Sequence, residues 1–194
     1  MRIRKLFLWL FFNIKYLGKP RWDTGQSPPE LLDFIKNHPA GRVLDLGCGT
    51  GTNCLTMARS GWQTTGIDLA GRAIRKALSR FQAAGLNGEF LASDITHVNL
   101  PDNEFDLVLD IGCYHSLPAD SRAIYRKNVA VWLKPGGWYM VYGHVPASSA
   151  QPDFGLSDQD IAAFQKVLRL ERREDGMDHG ERKAVWLWFT KPAK

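Results

Sequence analysis

Three glycines at alternate positions, Gly47, Gly49 and Gly51, follow the apolar pair Val43 and Leu44 and the acid Asp45. Glycine tolerates positive φ and puts no Cβ between backbone and ligand, so this spacing suits a sharp strand-to-helix turn that approaches something bound. Val43 and Leu44 read as a buried strand entering the turn, and Leu55 to Arg59 as the helix leaving it. The next apolar run closes on Thr-Thr-Gly-Ile-Asp, which sets Asp68, with Leu69 beside it, at a strand end. In a doubly wound sheet a carboxylate there faces the hydroxyls of a ribose lying across the glycine turn. The pairing points to an adenosine-containing ligand. Capping of the next helix is the structural alternative for Asp68.

A second reactive string, Asp110-Ile-Gly-Cys-Tyr-His-Ser-Leu-Pro118, follows the apolar run Phe105 to Ile111. Open α/β sheets keep their chemistry at such strand ends. Tyr114, His115 and Ser116 bring polar groups to it. His115 is the candidate general base, because an imidazole ordinarily titrates near neutrality; a structural hydrogen-bonding role is the alternative. Cys113 reads as a small buried hydrophobe rather than a nucleophile. Cys48, Cys54 and Cys113 have neither metal-type spacing nor a disulfide framework, so no metal is expected and a reducing cytoplasm is the expected setting.

The dinucleotide fingerprint requires glycine at its first, third and sixth positions, and here the sixth is Thr52. The pattern D-x-G-x-G-x-G over Asp45 to Gly51 instead resembles the first motif of class I S-adenosylmethionine-dependent methyltransferases. The later strings keep that family's order: Asp68 after the second strand, Ser93-Asp-Ile95 after the third, Phe105 to Gly112 as the fourth, and Leu133-Lys-Pro-Gly-Gly137 before the fifth. The resemblance spans roughly residues 40 to 190. It implies an α/β, three-layer Rossmann-like fold with a mostly parallel seven-stranded sheet and a final antiparallel strand. The implied cofactor is S-adenosyl-L-methionine, leaving as S-adenosyl-L-homocysteine. Asp45, Gly47, Cys48, Gly49, Gly51, Asp68 and Leu69 would hold it, with Asp94 and Ile95 at the adenine and Asp110 at the methionine amino group. For Asp94 a local turn cap is the alternative.

Two further strings narrow the likeness. An aromatic followed by Asp-Thr-Gly (Trp22 to Gly25) resembles the lead-in segment of thiopurine, thiol and halide methyltransferase relatives, which folds over the cofactor. Trp22 is thereby a lid candidate, against simple packing at the domain edge. The string D-x-G-C-Y-H resembles small-molecule methyltransferases of that group and places Tyr114 and His115 at the substrate. In-line transfer to a small, fairly apolar acceptor is the expected reaction. No Asn-Pro-Pro-Tyr string or Pro-Cys pair follows the fourth strand, which disfavours nucleobase methylation. A macromolecular acceptor, a non-catalytic cofactor-binding module recruited by its N-terminal arm, and a dinucleotide oxidoreductase remain as alternatives.

The elements that position these groups fit one domain over residues 21–194, behind an arm at residues 1–20. A chain of 194 residues with 44% hydrophobic content supports a single α/β domain. The net charge is +5, yet six cations (Arg2, Arg4, Lys5, Lys15, Lys19 and Arg21) precede the first acid, Asp23. The remainder therefore carries no basic excess, which argues against nucleic acid as partner. Leu6 to Leu17 is apolar nearly all round. As a helix it would be about 18 Å long against about 30 Å for a bilayer core, too short to span. Its basic start imitates a signal peptide, but no small-residue cleavage site follows. Either it packs on the domain or it lies on an anionic membrane, at the inner surface, through Trp9, its phenylalanines and its cations.

Further along, Ser27 is expected to cap a helix beginning at Pro28-Pro29. The periodicity predicts a helix over Arg72–Ala84 with Ile74, Ala77, Leu78 and Phe81 inward. Another starts near Asp120 with Ile124, Tyr125, Val129 and Trp132 inward and ends at Pro135-Gly-Gly137, before a strand over Trp138–Gly143. His144 to Pro152 leaves little room for an inserted substrate domain. Ser157 and Asp160 form a capping-box pattern. Val167–Glu171 and Val185–Thr190 read as strands around a charged hairpin over Arg172–Arg182.

Overall fold

A computed structural model describes residues 3–146 and 155–193, with side chains from Leu6 onward. The expected short connection after His144 lies largely outside the described residues. The chain divides into two compact units, Met1–Val98 and Asn99–Lys194.

In the first unit, α1 (Ile3–Lys15) and α2 (Pro29–Asn37) precede an alternation of β1 (Arg42–Leu46), α3 (Thr52–Arg59), β2 (Gln63–Asp68), α4 (Gly71–Ala84) and β3 (Glu89–Ala92). The strands β1, β2 and β3 pair in parallel, Leu46 opposite Ile67 and Asp68 opposite Ala92. Their C-terminal ends therefore share one edge. Val43, Leu44, Leu46 and Ile67 are buried, as expected for strands covered on both faces. Helix α4 buries Ala73, Ile74, Ala77 and Phe81, whereas Leu78 is 47% exposed. The inward stripe thus includes Ala73 instead of Leu78. Tyr16 and Ala70 pack with Ala73 to fill that side. Ser27 does not cap α2. The helix starts with Pro28 as cap residue and no side-chain cap bond, while Ser27 Oγ donates to Thr56 Oγ1 on α3 at 2.8 Å.

In the second unit, β4 (Phe105–Ile111), a single 3-10 turn (Tyr114–Ser116), α5 (Ala119–Trp132), β5 (Leu133–His144), α6 (Asp158–Phe164), β6 (Arg169–Asp178) and β7 (Arg182–Thr190) follow in order. β4 and β5 are parallel, and β7 runs antiparallel to both β5 and β6. The seven strands take the order β3-β2-β1-β4-β5-β7-β6, a mostly parallel α/β sheet with one reversed strand.

Three expectations are corrected here. β5 begins at Leu133, because Leu133 pairs with Phe105 and the Gly136 amide bonds Lys191 O at 2.8 Å; the Pro-Gly-Gly run is an irregularity within a strand. The charged segment Arg172–Asp178 is strand, not loop, and the turn shrinks to His179–Glu181. As the last strand of the sheet, β6 exposes most of its side chains, and charge suits such an edge. Arg172 also stacks on Trp188, 4.6 Å from the ring centroid. Finally, Ile124 is 46% exposed, and α5 instead buries Ser121 and Arg122.

Arg122 is buried because Asp160 meets it. Its Nη1 lies 2.9 Å from Asp160 Oδ2, and Tyr114 Oη donates to Asp160 Oδ1 at 2.7 Å. Asp160 also completes the capping box of α6 with Ser157. Burial alone would raise the carboxyl's pKa, but the hydrogen bonds from Tyr114 and Ser157 and the Arg122 charge win, holding it below the ordinary range. Removing one partner of a buried ion pair leaves the other charge uncompensated, at a cost of about 3–5 kcal/mol. Asp160→Ala should lose that much in urea unfolding, whereas Asp158→Ala, at an exposed carboxylate on the same helix, should lose under about 1 kcal/mol.

Candidate active site

The glycine spacing has a direct backbone cause. Gly47, Gly49 and Gly51 all hold positive φ, at 74°, 56° and 75°. The amides of Gly47 and Cys48 donate to Ile67 O at 2.8 and 3.0 Å, which ties the turn to the end of β2. Space is as restrictive as φ. A Cβ on Gly49 would stand 2.8 Å from the Tyr16 hydroxyl, and one on Gly51 2.9 Å from Ala77 Cβ.

Asp68 locks this loop from the next strand. Its Oδ2 accepts the Gly49 amide at 2.9 Å and its Oδ1 the Ala70 amide at 2.7 Å. Burial raises the Asp68 pKa, and the two amide bonds pull against that rise. A carboxylate has about four lone-pair positions. Two bonds to backbone thus leave acceptor capacity for a vicinal diol. A turn whose glycines let a ligand approach the backbone, a carboxylate with lone pairs to spare and strand ends along one edge fit an adenosyl group.

The other expected cofactor residues of this unit divide in placement. Ile95 is buried and Leu69 partly buried beside Asp68. Asp45 lies under the loop, buried, where Cys54 Sγ donates to it at 3.3 Å, and Cys48 is buried alongside. Asp94 uses Oδ1 for a local turn, accepting the Thr96 amide at 2.9 Å and the Thr96 hydroxyl at 2.7 Å. Trp22 is 51% exposed and donates its indole N–H to Tyr16 Oη at 3.0 Å, with its ring edge-on to Phe12 and Tyr16. The aromatic placed against the loop is Tyr16, with Trp22 held behind it.

Sequence reasoning missed a second lock. Buried Asp23 accepts the Thr50 hydroxyl at 2.8 Å. Arg80, on α4, donates to Thr50 Oγ1 at 2.5 Å and Thr52 Oγ1 at 3.0 Å and lies 3.7 Å from Asp23. The lead-in segment, the glycine loop and α4 are thereby joined by one charge-assisted network. The Asp-Thr-Gly string hinted at Asp23, but nothing in local spacing pairs it with Arg80.

In the second unit Asp110 is fully buried at the end of β4. Oδ1 accepts the Cys113 amide at 2.8 Å, and Oδ2 accepts the Tyr114 amide at 2.9 Å and the Tyr125 hydroxyl. Burial pushes its pKa up to about 7, against the pull of those donors. Asp110 therefore shapes the loop that follows it. Tyr114 is fully buried too, and its hydroxyl is engaged by Asp160 and by Arg126 at 2.5 Å. Ser116 Oγ donates to Gly112 O at 3.4 Å.

His115 is buried and stacked on His144, ring centroids 4.6 Å apart. Its Nδ1 accepts the His144 amide at 3.2 Å, which puts the ring proton of the neutral form on Nε2. His144 in turn places Nε2 2.9 Å from Asp178 Oδ2. Burial first, then the neighbouring His144 and Arg122 charges, lower the His115 pKa to about 4. The ring is thus neutral at pH 7 and a poor proton acceptor, with one nitrogen spent on backbone. His144 was not singled out in the sequence, since a lone histidine near a strand end carries no pattern.

Comparison with known proteins gives a consistent result. Residues 43–137 match the methyltransferase domain family. An uncharacterized methyltransferase of Schizosaccharomyces pombe is 39% identical over 100 residues, covering 52% of this chain and 68% of that one. The 2-heptyl-1-hydroxyquinolin-4(1H)-one methyltransferase of Mycobacteroides abscessus is 34% identical over 126 residues, 64% of this chain, which spans 56% of that relative's length. In fold, the chain is similar to the 1,6-didemethyltoxoflavin-N1-methyltransferase of Burkholderia thailandensis, with a TM-score of 0.81 at 18% identity over 97% of this chain and 89% of that one.

The low His115 pKa has a measurable sign. The unfolded imidazole titrates near 6.5 and the folded one near 4, so between these values the unfolded chain binds the extra proton. Stability from this group is complete above pH 6.5 and is lost as pH falls toward 4, by up to about 3 kcal/mol. His115→Asn keeps an acceptor near Nδ1 and abolishes the titration. The stability difference between the native protein and this variant, from urea unfolding, should therefore shrink by that amount between pH 7 and pH 4.

Proposed function

The chain belongs to the class I S-adenosylmethionine-dependent methyltransferases, and from that premise we propose that it methylates a small, largely apolar acceptor by in-line displacement. The observation that carries the reading is the Asp68–Gly49 bond, which holds a glycine-rich loop against a carboxylate able to accept a ribose diol. S-adenosyl-L-methionine would supply a sulfonium-bound methyl with its own leaving group. The protein's task is then alignment, which can contribute on the order of 7–11 kcal/mol. In the first unit Gly47, Gly49, Asp68 and Ile95 would hold the cofactor, and Asp23, Thr50 and Arg80 would keep the loop in shape. In the second, Asp110 would organise the Cys113–Ser116 turn, with His115 as the residue proposed to meet the acceptor.

His115 is assigned a positioning role. With a pKa near 4 it would remove few protons at neutral pH, and its neutral Nε2–H would donate a hydrogen bond instead. This suits an acceptor already nucleophilic at pH 7. The acceptor class is supported by the activity of the mycobacterial relative, an alkylated hydroxyquinolone methyltransferase. It is supported also by the sequence charge, since beyond residue 21 there is no basic excess to meet nucleic acid. A reducing, cytosolic setting fits the buried Cys48 and Cys54 thiols.

Labelled S-adenosylmethionine should transfer its methyl to members of a panel of hydroxyquinolones, phenols and alkyl thiols, and not to ribosomal RNA or a protein mixture. Labelling of RNA or protein alone would contradict the acceptor class. With the best acceptor, the native enzyme should show no limb near pH 6.5, and His115→Asn should keep its rate within about tenfold. A loss of 10²–10⁴ would instead make the imidazole a general base.

A further inference from the structure

Helix α1 leaves a broad apolar face unburied. At about 100° per residue, Leu6, Phe7, Leu10, Phe11 and Ile14 fall on one face. All five are exposed, Phe7 at 65% and Ile14 at 52%, and Leu17 just beyond the helix is exposed too. The inward face is held by one polar residue, Asn13, between Phe12 and Tyr16. Asn13 is buried, bonds Trp9 O through Nδ2 at 2.8 Å and accepts the Arg72 amide on Oδ1 at 3.3 Å. Arg72 Nη1 reaches Asn13 O at 3.4 Å, and Lys76 Nζ reaches Gly18 O at 2.7 Å. Tyr16 fills the gap against Ala70 and Ala73. These contacts hold the helix in one rotation about its axis, so the apolar face points outward by construction.

An exposed apolar face of this size marks a binding surface, and the surrounding charge says for what. Lys15, Lys19 and Arg21 are exposed at and just after the end of the helix, Arg72 and Lys76 of α4 reach its last carbonyls and Gly18 O, and Arg2, Arg4 and Lys5 precede the apolar run in sequence, with no acid before Asp23. Lys15 Nζ sits 5.3 Å from the Phe11 ring, a cation at the border of the apolar face. A second copy of the chain would bring two such cationic rims together, which disfavours self-pairing. The helix, 13 residues and about 20 Å long, does not reach across a bilayer core, and no described helix is long and apolar enough to do so. An apolar face rimmed by cations matches an interface of acyl chains beneath anionic headgroups.

We propose that α1 docks the protein in the plane of an anionic lipid membrane, with Leu6, Phe7, Leu10, Phe11 and Ile14 inserted between headgroups. Just past the docked helix, Tyr16 packs over the glycine loop, its Oη 2.8 Å from where a Cβ on Gly49 would be. The membrane surface and the cofactor loop therefore meet opposite sides of one N-terminal segment. Docking needs neither cofactor nor acceptor, so it stands or falls apart from the methyl-transfer reading.

The test is flotation of the full chain with phosphatidylcholine vesicles, with and without phosphatidylglycerol. The expected result is partition onto the phosphatidylglycerol vesicles, weakened by salt and accompanied by a blue shift of tryptophan emission. Leu10→Glu/Ile14→Glu should lower partition on the order of tenfold or more. Both changes lie on the exposed face, so the far-UV spectrum and S-adenosylhomocysteine affinity should stay unchanged, which separates lost docking from misfolding. No partition by the native chain would overturn the proposal, as would undiminished partition by the variant or equal partition onto neutral vesicles. A concentration-dependent dimer that the variant abolishes, without vesicle binding, would assign the face to a second copy and overturn it too.

Discussion

The bond between the Gly49 amide and the Asp68 carboxylate is the constraint around which the first unit is arranged. It joins residues 19 apart, from the turn after β1 to the end of β2, and it demands three things at once. The loop must curl through positive φ at three positions, which explains glycine at 47, 49 and 51. Strands β1 and β2 must be parallel and in register so that turn and carboxylate meet, which the Leu46–Ile67 pairing provides. The helices on either side must come close, which small side chains permit: Ala77 faces Gly51, and Ala70 and Ala73 face Tyr16. A burial-raised carboxylate needs donors, and two backbone amides supply them before any ligand arrives.

The second unit follows a related rule with other partners. Asp110 and Asp160 are buried carboxylates, each tied to Tyr114, one through the backbone amide and the other through the hydroxyl. Buried polar groups of this kind cost stability unless every lone pair is met, and once met they hold a single geometry. The turn after β4 is thereby fastened at both ends of one tyrosine. The histidine that follows is turned back onto His144, itself paired with Asp178 on β6. Residues that resemble reactive groups in the sequence thus spend much of their bonding capacity on holding the loop. That suits a transfer whose main requirement of the protein is alignment.

Much of this was legible beforehand because it is written in local backbone chemistry. The glycine turn, the acid at the end of β2, the capping box at Ser157 and Asp160, and the strands β1, β2 and β4 follow from short-range pattern. What escaped was decided by partners distant in sequence. Ser27 resembles a helix cap, but Thr56, 29 residues on, takes its hydroxyl. Ile124 and Leu78 look inward by periodicity, yet Arg122 and Ala73 hold the inward places because Asp160 and Tyr16 fill the space. The Arg172–Asp178 stretch reads as loop because charge is taken for solvent, whereas an edge strand is where charge and pairing coexist. Tyr16, which no local pattern marks, lies against Gly49 and accepts the Trp22 indole N–H.

The most direct measurement is calorimetric titration of the native chain and of Asp68→Ala with S-adenosylmethionine and, separately, with NAD. The account predicts micromolar binding of S-adenosylmethionine and none of NAD. It also predicts a loss of roughly 1.5–3 kcal/mol or more in the variant, as expected for hydrogen bonds to a charged acceptor. Binding of NAD in place of S-adenosylmethionine, or unchanged affinity without the Asp68 carboxylate, would contradict it.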